Sequence, residues 1–443
     1  MLKSIEVPDC HYPRDPSLVR PRSSPPRHSL YLSNLDDQKF LRFSIKYLYL
    51  YRKSVRVEAL KASLSRVLED YYPLAGRLRD CDGEEKLEVD CNGEGAVFAE
   101  GHVDLSVDEF LVASRRPNAS WRKFLYRVDA QSFMGVPLLM VQVTYLSCGG
   151  MILCTAINHC VCDGIGSSQF LHAWAHCAAK PGSSPPLSPF HSRCILRPRS
   201  PPAIAFSHPE FTPAGPQISA SEHLAQLLQS QPLVPVCLTF DPSEILQLKK
   251  QCVPSLKCTS FEALASHVWR TWIRSLAPPP ELRVKLFFSV NVRKRLKPQL
   301  PIGFYGNGFV LGCAEGTAGE LVSSNPRGVV ELVQTGKARL SDDYIRSMVD
   351  FLEYNRVKPD LSATLVISQW SKLGLEDVDF GEGVPLHVGP LASEIYCLFL
   401  PVIGDLHAFT VLLSVPERVA SKFEYHMKNL WGEQPDCPGE GLA

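Results

Sequence analysis

The residues best suited to acid–base chemistry lie in the segment 158–164, Asn-His-Cys-Val-Cys-Asp-Gly. His159 leaves a predicted buried strand, and Asp163 follows four residues later, just before a glycine. Histidine titrates near neutrality, so it can remove a proton from a hydroxyl or amine while that group attacks a carbonyl. The aspartate has two possible tasks: it could orient the imidazole, or it could hold the loop by pairing with a distant cation. The motif alone leaves both tasks open.

Plainer interpretations compete with a general base in this segment. A lone histidine beside an apolar strand is usually a satisfied structural residue. A zinc site built on His159, Cys160 and Cys162 is conceivable, but no second Cys/His pair lies at ligand spacing, and we expect no metal. The two cysteines could also act as nucleophiles, although packing within the loop suits them better. The sequence contains no Gly-x-Ser-x-Gly elbow, which would indicate a serine nucleophile.

The elements that must position His159 follow from hydrophobic periodicity. Apolar stretches at 138–145 and 151–158 flank the Gly149-Gly150 turn and predict two strands, the second of which ends at the histidine. The same reasoning predicts helices around 60–71, 170–175, 261–272 and 419–430, and strands at 286–292 and 363–367. Strands and helices therefore interleave in both halves of the chain, which predicts an α/β architecture.

Chain length and proline content predict two domains. A chain of 443 residues is long for one hydrophobic core. The segment 181–216 is rich in proline, which sustains neither a helix nor an interior strand. We therefore predict an N-terminal domain at 1–180, an extended crossover at 181–216 and a C-terminal domain at 217–443. A disordered linker remains an alternative for the middle of the crossover.

Composition restricts the partners and the compartment. Lys+Arg and Asp+Glu both total 46, so no global charge attracts the chain to nucleic acid or to an anionic membrane. We find no signal peptide and no apolar run near the roughly 20 residues that a membrane helix requires. The 15 cysteines are scattered, and many lie in apolar segments, which fits a reducing compartment better than a disulfide framework. We expect a cytoplasmic protein without a membrane span.

Two motifs in order along the chain carry a family resemblance. His159-x-x-x-Asp163-Gly164 resembles the signature of the plant BAHD acyltransferases, which move an acyl group from a coenzyme A thioester to an alcohol or amine. Their second motif, Asp-Phe-Gly-Trp-Gly, is matched at 379–383 with Glu382 in place of the tryptophan. Further family-like blocks lie at 31–36, 72–78, 259–264, 290–293 and 304–307. The resemblance thus covers nearly the whole chain.

The resemblance implies two similarly built, chloramphenicol-acetyltransferase-like α/β domains with an active-site channel at their interface. In the catalytic motif, His159 would be the general base, and Asp163 would point away from the substrate and pair with Arg293. A monomer that uses acyl-CoA as co-substrate, with no tightly bound cofactor, is the family expectation. Deprotonation of the acceptor by His159 would require no acyl-enzyme.

The second motif is implied to be structural. Asp379, Gly381 and Gly383 match a loop that supports the fold, where glycine allows tight backbone turns. Because Glu382 replaces a large aromatic residue, we expect unfilled packing at that position.

Four further residues match substrate-binding positions of the family. Ser368 and Trp370 match the lining of the acyl pocket, and Ser368 could donate to an oxyanion or simply make local hydrogen bonds at a strand end. Lys257 and Ser260 resemble the region that contacts the coenzyme A phosphates, since a helix N-terminus with a cation suits an anion. The alternative for Ser260 is a helix cap.

The patterns at 298–308 and 370–373 look closest to one branch of the family. That branch transfers hydroxycinnamoyl groups, such as feruloyl, to ω-hydroxy fatty acids or fatty alcohols of cutin and suberin. Transfer to shikimate, quinate or an amine is the alternative. In shikimate-type members an arginine grips the acceptor carboxylate; Arg356 lies in the general region of that arginine, but the local sequence does not align closely enough to assign it the role. A non-catalytic acyl-CoA-binding homologue and a peptide-synthetase condensation domain are further alternatives.

Overall fold

Strands and helices alternate along the chain. The structure is a computed structural model, and it describes residues 6–430 except 82–85, 115–116, 118, 129–131, 213–223, 225–227, 229–230, 253–255 and 392–395. The strands within these residues are β1 Ser17–Val19, β2 Ser29–Tyr31, β3 Ser44–Tyr51, β4 Arg77–Asp80, β5 Leu87–Asp90, β6 Ala96–Val103, β7 Leu139–Leu146, β8 Met151–Asn158, β9 Leu233–Phe240, β10 Arg283–Asn291, β11 Phe309–Thr317, β12 Thr364–Gln369, β13 His387–Pro390, β14 Cys397–Val402 and β15 Asp405–Pro416. The helices are α1 Val57–Asp70, α2 Val107–Ala113, α3 Gly164–Ala179, α4 Pro242–Lys250, α5 Ser260–Leu276, α6 Ala318–Ser323, α7 Pro326–Ala338, α8 Asp342–Tyr354 and α9 Glu417–Lys428.

Two six-stranded sheets form the centres of the two halves. The first has the order β1-β6-β7-β8-β3-β13, and the second has the order β11-β10-β12-β14-β15-β9. Strand β13 comes late in the chain yet pairs antiparallel with β3 of the first sheet. The segment 217–443 therefore contributes one strand to the sheet of the first half, and the predicted domain boundaries do not separate the sheets completely.

The predicted elements around the motif are confirmed. Strands β7 and β8 pair antiparallel around the Gly149-Gly150 turn, and β8 is buried along its whole length. Helix α3 begins immediately after Asp163, whose side chain accepts a hydrogen bond from Gly166 N as the N-cap. The other predicted helices and strands correspond to α1, α5, α9, β10 and β12. Among the described residues, no helix combines the length and the apolarity needed to cross a lipid bilayer.

The structure describes the crossover from residue 181 to 212; residues 213–216 lie outside the described residues. Its backbone is fixed to helix α8. The buried carboxylate of Asp350 accepts hydrogen bonds from the backbone N of Arg199 and of Ala203, both at 2.8 Å. Further along, Tyr344 donates to the buried Glu210. Asp350 of α8 thus accepts hydrogen bonds from backbone N–H groups of the crossover that have no partner in a sheet.

Candidate active site

His159 lies at the end of β8, between the two sheets. Its backbone N donates to the carbonyl of Phe43, which fixes the turn against the neighbouring segment. The imidazole is flanked by the rings of Phe43 and Phe309, at centroid distances of 5.3 and 5.7 Å. Phe309 is the first residue of β11 in the second sheet. The histidine is therefore held by residues from both halves of the molecule.

The imidazole has one side-chain hydrogen-bond partner that the sequence did not indicate. His159 Nδ1 lies 3.1 Å from Asn307 Oδ1, while Asn307 Nδ2 donates to the backbone oxygen of His159 at 2.7 Å. Burial lowers the pKa of His159 below its usual 6.5. It outweighs the raising effects of a hydrogen bond with the backbone of His159 itself, of the charge of Asp163, of the hydrogen bond with Asn307 and of the charge of Asp36. At neutral pH the imidazole is uncharged, which is the form that can accept a proton.

Asp163 makes its contacts away from the imidazole. Arg293 Nη1 and Nη2 donate to its two carboxylate oxygens at 2.7 and 2.9 Å, and Gly308 N donates at 3.0 Å. Among the described residues, no hydrogen bond joins Asp163 to His159. Of the two tasks left open for the aspartate, these contacts correspond to holding the loop through a distant cation.

Behind Asn307 lies a buried polar network that sequence reasoning missed. Asp36 is fully buried and accepts from Asn307 N at 2.8 Å, from Asn307 Nδ2 at 3.0 Å and from Ser33 Oγ at 2.6 Å. Arg193, also fully buried, lies with its Nε 3.8 Å from Asp36. Asn307 and Asp36 belong to family-like blocks, which was the available signal. Arg193 comes from the crossover, where nothing in the sequence marked it.

The neighbouring thiols do not have the properties of nucleophiles. Cys160 and Cys162 are fully buried, and burial raises the pKa of both well above the usual value, so both thiols are protonated at neutral pH. Within the described residues, no cluster of three or more His, Cys, Asp or Glu side chains has the arrangement of a metal site.

A cleft of about 480 Å³ opens on the second half of the molecule. Helix α5 begins at its wall, and Ser260, the first helical residue, lines it. Thr259 is the N-cap, since its side chain accepts from Glu262 N, so the alternative of Ser260 as the cap is wrong. Lys257 is exposed and does not line the cleft. The cationic or titratable side chains along the cleft are Lys249, Lys337, Lys372 and His407, which sequence reasoning did not identify.

The cleft and the imidazole are connected through one strand pair. Asn291 and Gln369 line the cleft, and Asn291 pairs across the sheet with Phe309, whose ring contacts the imidazole. Ser368 precedes Gln369 on β12; it is half-buried, and its side chain makes no hydrogen bond to the described residues. Within the part of the chain that the structure describes, no hydrogen bond of this side chain supports the alternative role of local bonding at the strand end. Trp370 is buried, and its ring lies 4.8 Å from that of Tyr47.

A cluster of apolar side chains extends from the imidazole on the inner face of the second sheet. Phe43 stacks on Tyr396 at a centroid distance of 6.3 Å, and Tyr396 packs with Phe309 against the buried part of the cluster. We call this set the aromatic cluster; its members are Phe40, Phe43, Phe287, Phe309, Leu311, Cys313, Val366 and Tyr396.

The loop 379–383 is fixed by its own residues. Asp379 Oδ1 accepts from Gly381 N at 2.7 Å and from Gly383 N at 2.9 Å, and both glycines have φ above +100°. Phe380 is buried against Trp174 of α3. The expectation of unfilled packing at Glu382 is wrong, because this side chain is exposed and lies 3.8 Å from Lys53.

Comparisons with known proteins agree with this geometry. The family model described as "Transferase family" matches residues 14–430. An omega-hydroxypalmitate O-feruloyl transferase from Arabidopsis thaliana is 36% identical over 426 residues, covering 93% of this chain and 91% of the relative. A fatty alcohol:caffeoyl-CoA acyltransferase from the same plant is 35% identical, covering 93% and 96%. The crystal structure of vinorine synthase, 20% identical, has a TM-score of 0.74 and covers 96% of this chain and 98% of its own, which shows the shared two-domain fold. The chain therefore belongs to the BAHD family of acyl-CoA-dependent O-acyltransferases.

Proposed function

We propose that this acyltransferase moves a hydroxycinnamoyl group of the feruloyl type from coenzyme A to the hydroxyl of an ω-hydroxy fatty acid or a fatty alcohol. His159 is the general base, and the reaction passes through no acyl-enzyme. The observation that carries the acceptor class is the aromatic cluster, because a long apolar chain needs an apolar surface that begins at the base. The names of the two Arabidopsis relatives support the same donor and acceptor classes.

The chemical step begins with the neutral imidazole. His159 takes the hydroxyl proton as the acceptor oxygen attacks the thioester carbon, and the carbonyl oxygen becomes an oxyanion. The C–S bond then breaks, and the thiolate of coenzyme A leaves with the proton that the imidazolium returns. Ser368 is our candidate donor to the oxyanion. Its hydroxyl makes no hydrogen bond to the described residues, so it can donate to the substrate. Trp370, beside it, is proposed to line the acyl pocket.

The cleft is proposed to take the coenzyme A phosphates. Ser260 and the N-terminus of α5 supply the donors and the positive end of a helix dipole, and Lys249 and Lys372 add positive charge. Lys337 is already paired with Glu262 at 2.8 Å, so it offers less free charge. Lys257, which the resemblance placed here, is at most a peripheral contact because it lies outside the cleft lining.

Arg293 and the loop 379–383 are proposed as structural supports of the channel. Asp163 and Arg293 hold the turn that carries His159, whereas Asp379, Gly381 and Gly383 fix a separate loop on α3. We further propose a cytoplasmic monomer that holds no tightly bound cofactor. The cysteines of the described residues are all free thiols, which supports a reducing compartment.

The alternative acceptors gain no support from Arg356. Its Nη1 is 3.2 Å from the buried carboxylate of Asp37, so it is occupied rather than free to grip a shikimate or quinate carboxylate. The non-catalytic alternative rested on Glu382, and that side chain lies in solvent away from any packing role. Both alternatives remain outcomes of the test below.

The test is an assay of the purified chain with feruloyl-CoA and a panel of acceptors, following thiol release and product mass. The panel holds 16-hydroxypalmitate, a long-chain alcohol, shikimate, quinate and spermidine. We expect esters of the lipid acceptors, and a loss of about 10²- to 10⁴-fold in kcat for His159→Ala, the range of a positioned general base. His102→Ala, at a half-exposed histidine of β6, is the matched control and should keep full activity.

Each contrary outcome addresses a different part of the proposal. Product on shikimate or spermidine in place of the lipid acceptors would overturn the acceptor class and keep the mechanism. Full activity of His159→Ala would overturn the general base. Folded protein that is silent with several acyl-CoA donors would favour the non-catalytic homologue.

A further inference from the structure

The side-chain amide of Asn307 has only one orientation that satisfies its neighbours. Its Nδ2 lies 2.7 Å from the backbone oxygen of His159 and 3.0 Å from Asp36 Oδ1. A carbonyl and a carboxylate only accept hydrogen bonds, so the NH₂ group must face them. The amide oxygen is thereby directed at His159 Nδ1, 3.1 Å away.

This orientation determines where the imidazole carries its proton. An amide oxygen only accepts, so the neutral imidazole must donate from Nδ1, and Nε2 keeps its lone pair. We propose that Asn307, held by Asp36, is a positioning residue that fixes the Nδ1–H tautomer of His159 and presents Nε2 as the proton acceptor. The inference rests on the proposed general-base role, and it assigns to Asn307 the orienting task that the motif aspartate does not perform.

Asp36 fixes Asn307 more firmly than one side-chain contact would. The same oxygen, Oδ1, accepts from both the backbone N and the side-chain Nδ2 of Asn307, at 2.8 and 3.0 Å. Ser33 donates to the other oxygen from both its Oγ and its backbone N, at 2.6 and 3.1 Å. Asn307 and Asp36 are both fully buried or nearly so, which excludes water as a competing partner for the amide.

The crossover also reaches this network. Arg193 Nη2 donates to the carbonyl of Val161, inside the motif turn, and its guanidinium lies 4.4 Å from the centre of the Tyr305 ring. With Nε 3.8 Å from Asp36, Arg193 offsets the charge of a carboxylate that is otherwise surrounded by neutral donors.

Two pairs of opposite charges lie near the imidazole. Asp36 is paired with Arg193 and contacts Asn307, and Asp163 is paired with Arg293; both carboxylates act on the titration of His159. The two rings that flank the imidazole, Phe43 and Phe309, are uncharged. A change of charge at position 36 or 307 should therefore act directly on the titration of His159.

The direct test is ¹⁵N NMR of the full chain labelled at its 13 histidines, with His159→Gln to assign the His159 signals. At neutral pH we expect a protonated Nδ1 and an unprotonated Nε2. An Nε2–H tautomer, or an averaged mixture of both tautomers, would overturn the inference. This measurement needs no substrate, so it stands even if the acceptor class is wrong.

Two charge variants test the same point through the pH profile of kcat/KM. Asp36→Asn removes a negative charge that favours the imidazolium, so the acid limb should move to lower pH. The double variant Asp36→Asn with Asn307→Asp places the carboxylate at Nδ1, so the acid limb should move up by about one pH unit or more. A purely structural role for the pair would lower stability or kcat without shifting the limb in these opposite directions, and that result would also overturn the inference.

The variant Asn307→Ala measures how much the positioning of His159 by Asn307 contributes to kcat. We expect kcat to fall about 10- to 100-fold, as is typical when the partner that orients a histidine is lost, with little change in the KM for feruloyl-CoA. An unchanged kcat would contradict the inference. An inactive wild-type enzyme with the expected tautomer would instead contradict the proposed function, so the two failures are distinguishable.

Discussion

The two motif loops, 159–163 and 379–383, are supported in different ways. In the first, the carboxylate of Asp163 is buried and is paired with Arg293, which lies 130 residues away in the sequence. In the second, the carboxylate of Asp379 is exposed and bonds to glycine N–H groups two and four residues away. The first loop therefore depends on the whole fold, whereas the second is largely self-contained. Mutations should have larger effects in the first loop than in the second.

The largest effect on stability is expected for Arg293→Ala. Removing the guanidinium leaves Asp163 buried without its partner, which should lower the free energy of unfolding by about 3–5 kcal/mol, measured by denaturant titration. The matched control is Arg327→Ala, which removes a half-exposed pair with Glu331 and should change the free energy by less than about 1 kcal/mol. Equal losses of stability for the two variants would contradict the expected difference between buried and exposed ion pairs.

The burial of the first loop should also appear in the pH profile. Because burial lowers the pKa of His159, the imidazole stays neutral until the pH falls below the usual value of 6.5. We expect kcat/KM to remain constant from neutral pH down to below 6.5 and then to fall as the imidazole becomes protonated. An acid limb at or above 6.5 would show that the histidine is not desolvated in the working enzyme.

In the second loop, Gly381→Ala should have a moderate effect. Residue 381 has φ +102°, and an added Cβ would lie 3.2 Å from Ala179 Cα, so backbone strain and contact together should cost about 1–3 kcal/mol of folding stability. Gly383→Ala is the matched control, because φ is +107° there and no heavy atom lies within 4 Å of the added Cβ. The difference between the two variants in thermal unfolding isolates the contact with α3; no difference would mean that α3 does not constrain the loop.

The smallest effect is expected for Glu382→Trp, which restores the residue usual in the family. The side chain is exposed, and its ion pair with Lys53 is long and in solvent, so stability should change by less than about 0.5 kcal/mol and kcat should not change. Glu382→Gln is the control for the charge alone. A large gain in activity with tryptophan would mean that position 382 contacts the channel.

Sequence reasoning identified the elements better than the contacts. The strands β7 and β8 and the helices α3 and α5 follow from local periodicity and turn residues, which act over a few positions. The pairing of β13 with β3 could not be predicted in this way, because it joins segments more than 300 residues apart. The Lys372 and Lys249 cations of the cleft were also missed, because they lie 123 residues apart in the sequence and only the fold places both along one cleft.

By itself, the sequence determined the motif residues His159 and Asp163, the strand that delivers them and the family to which the chain belongs. Only the tertiary structure decided how the histidine is held. Asn307 lies 148 residues from His159 and 271 residues from Asp36, and Arg193 reaches the same network from the crossover. Hydrophobic periodicity reports which face of an element is buried, but the pairing of buried polar groups depends on which distant segments the fold brings together.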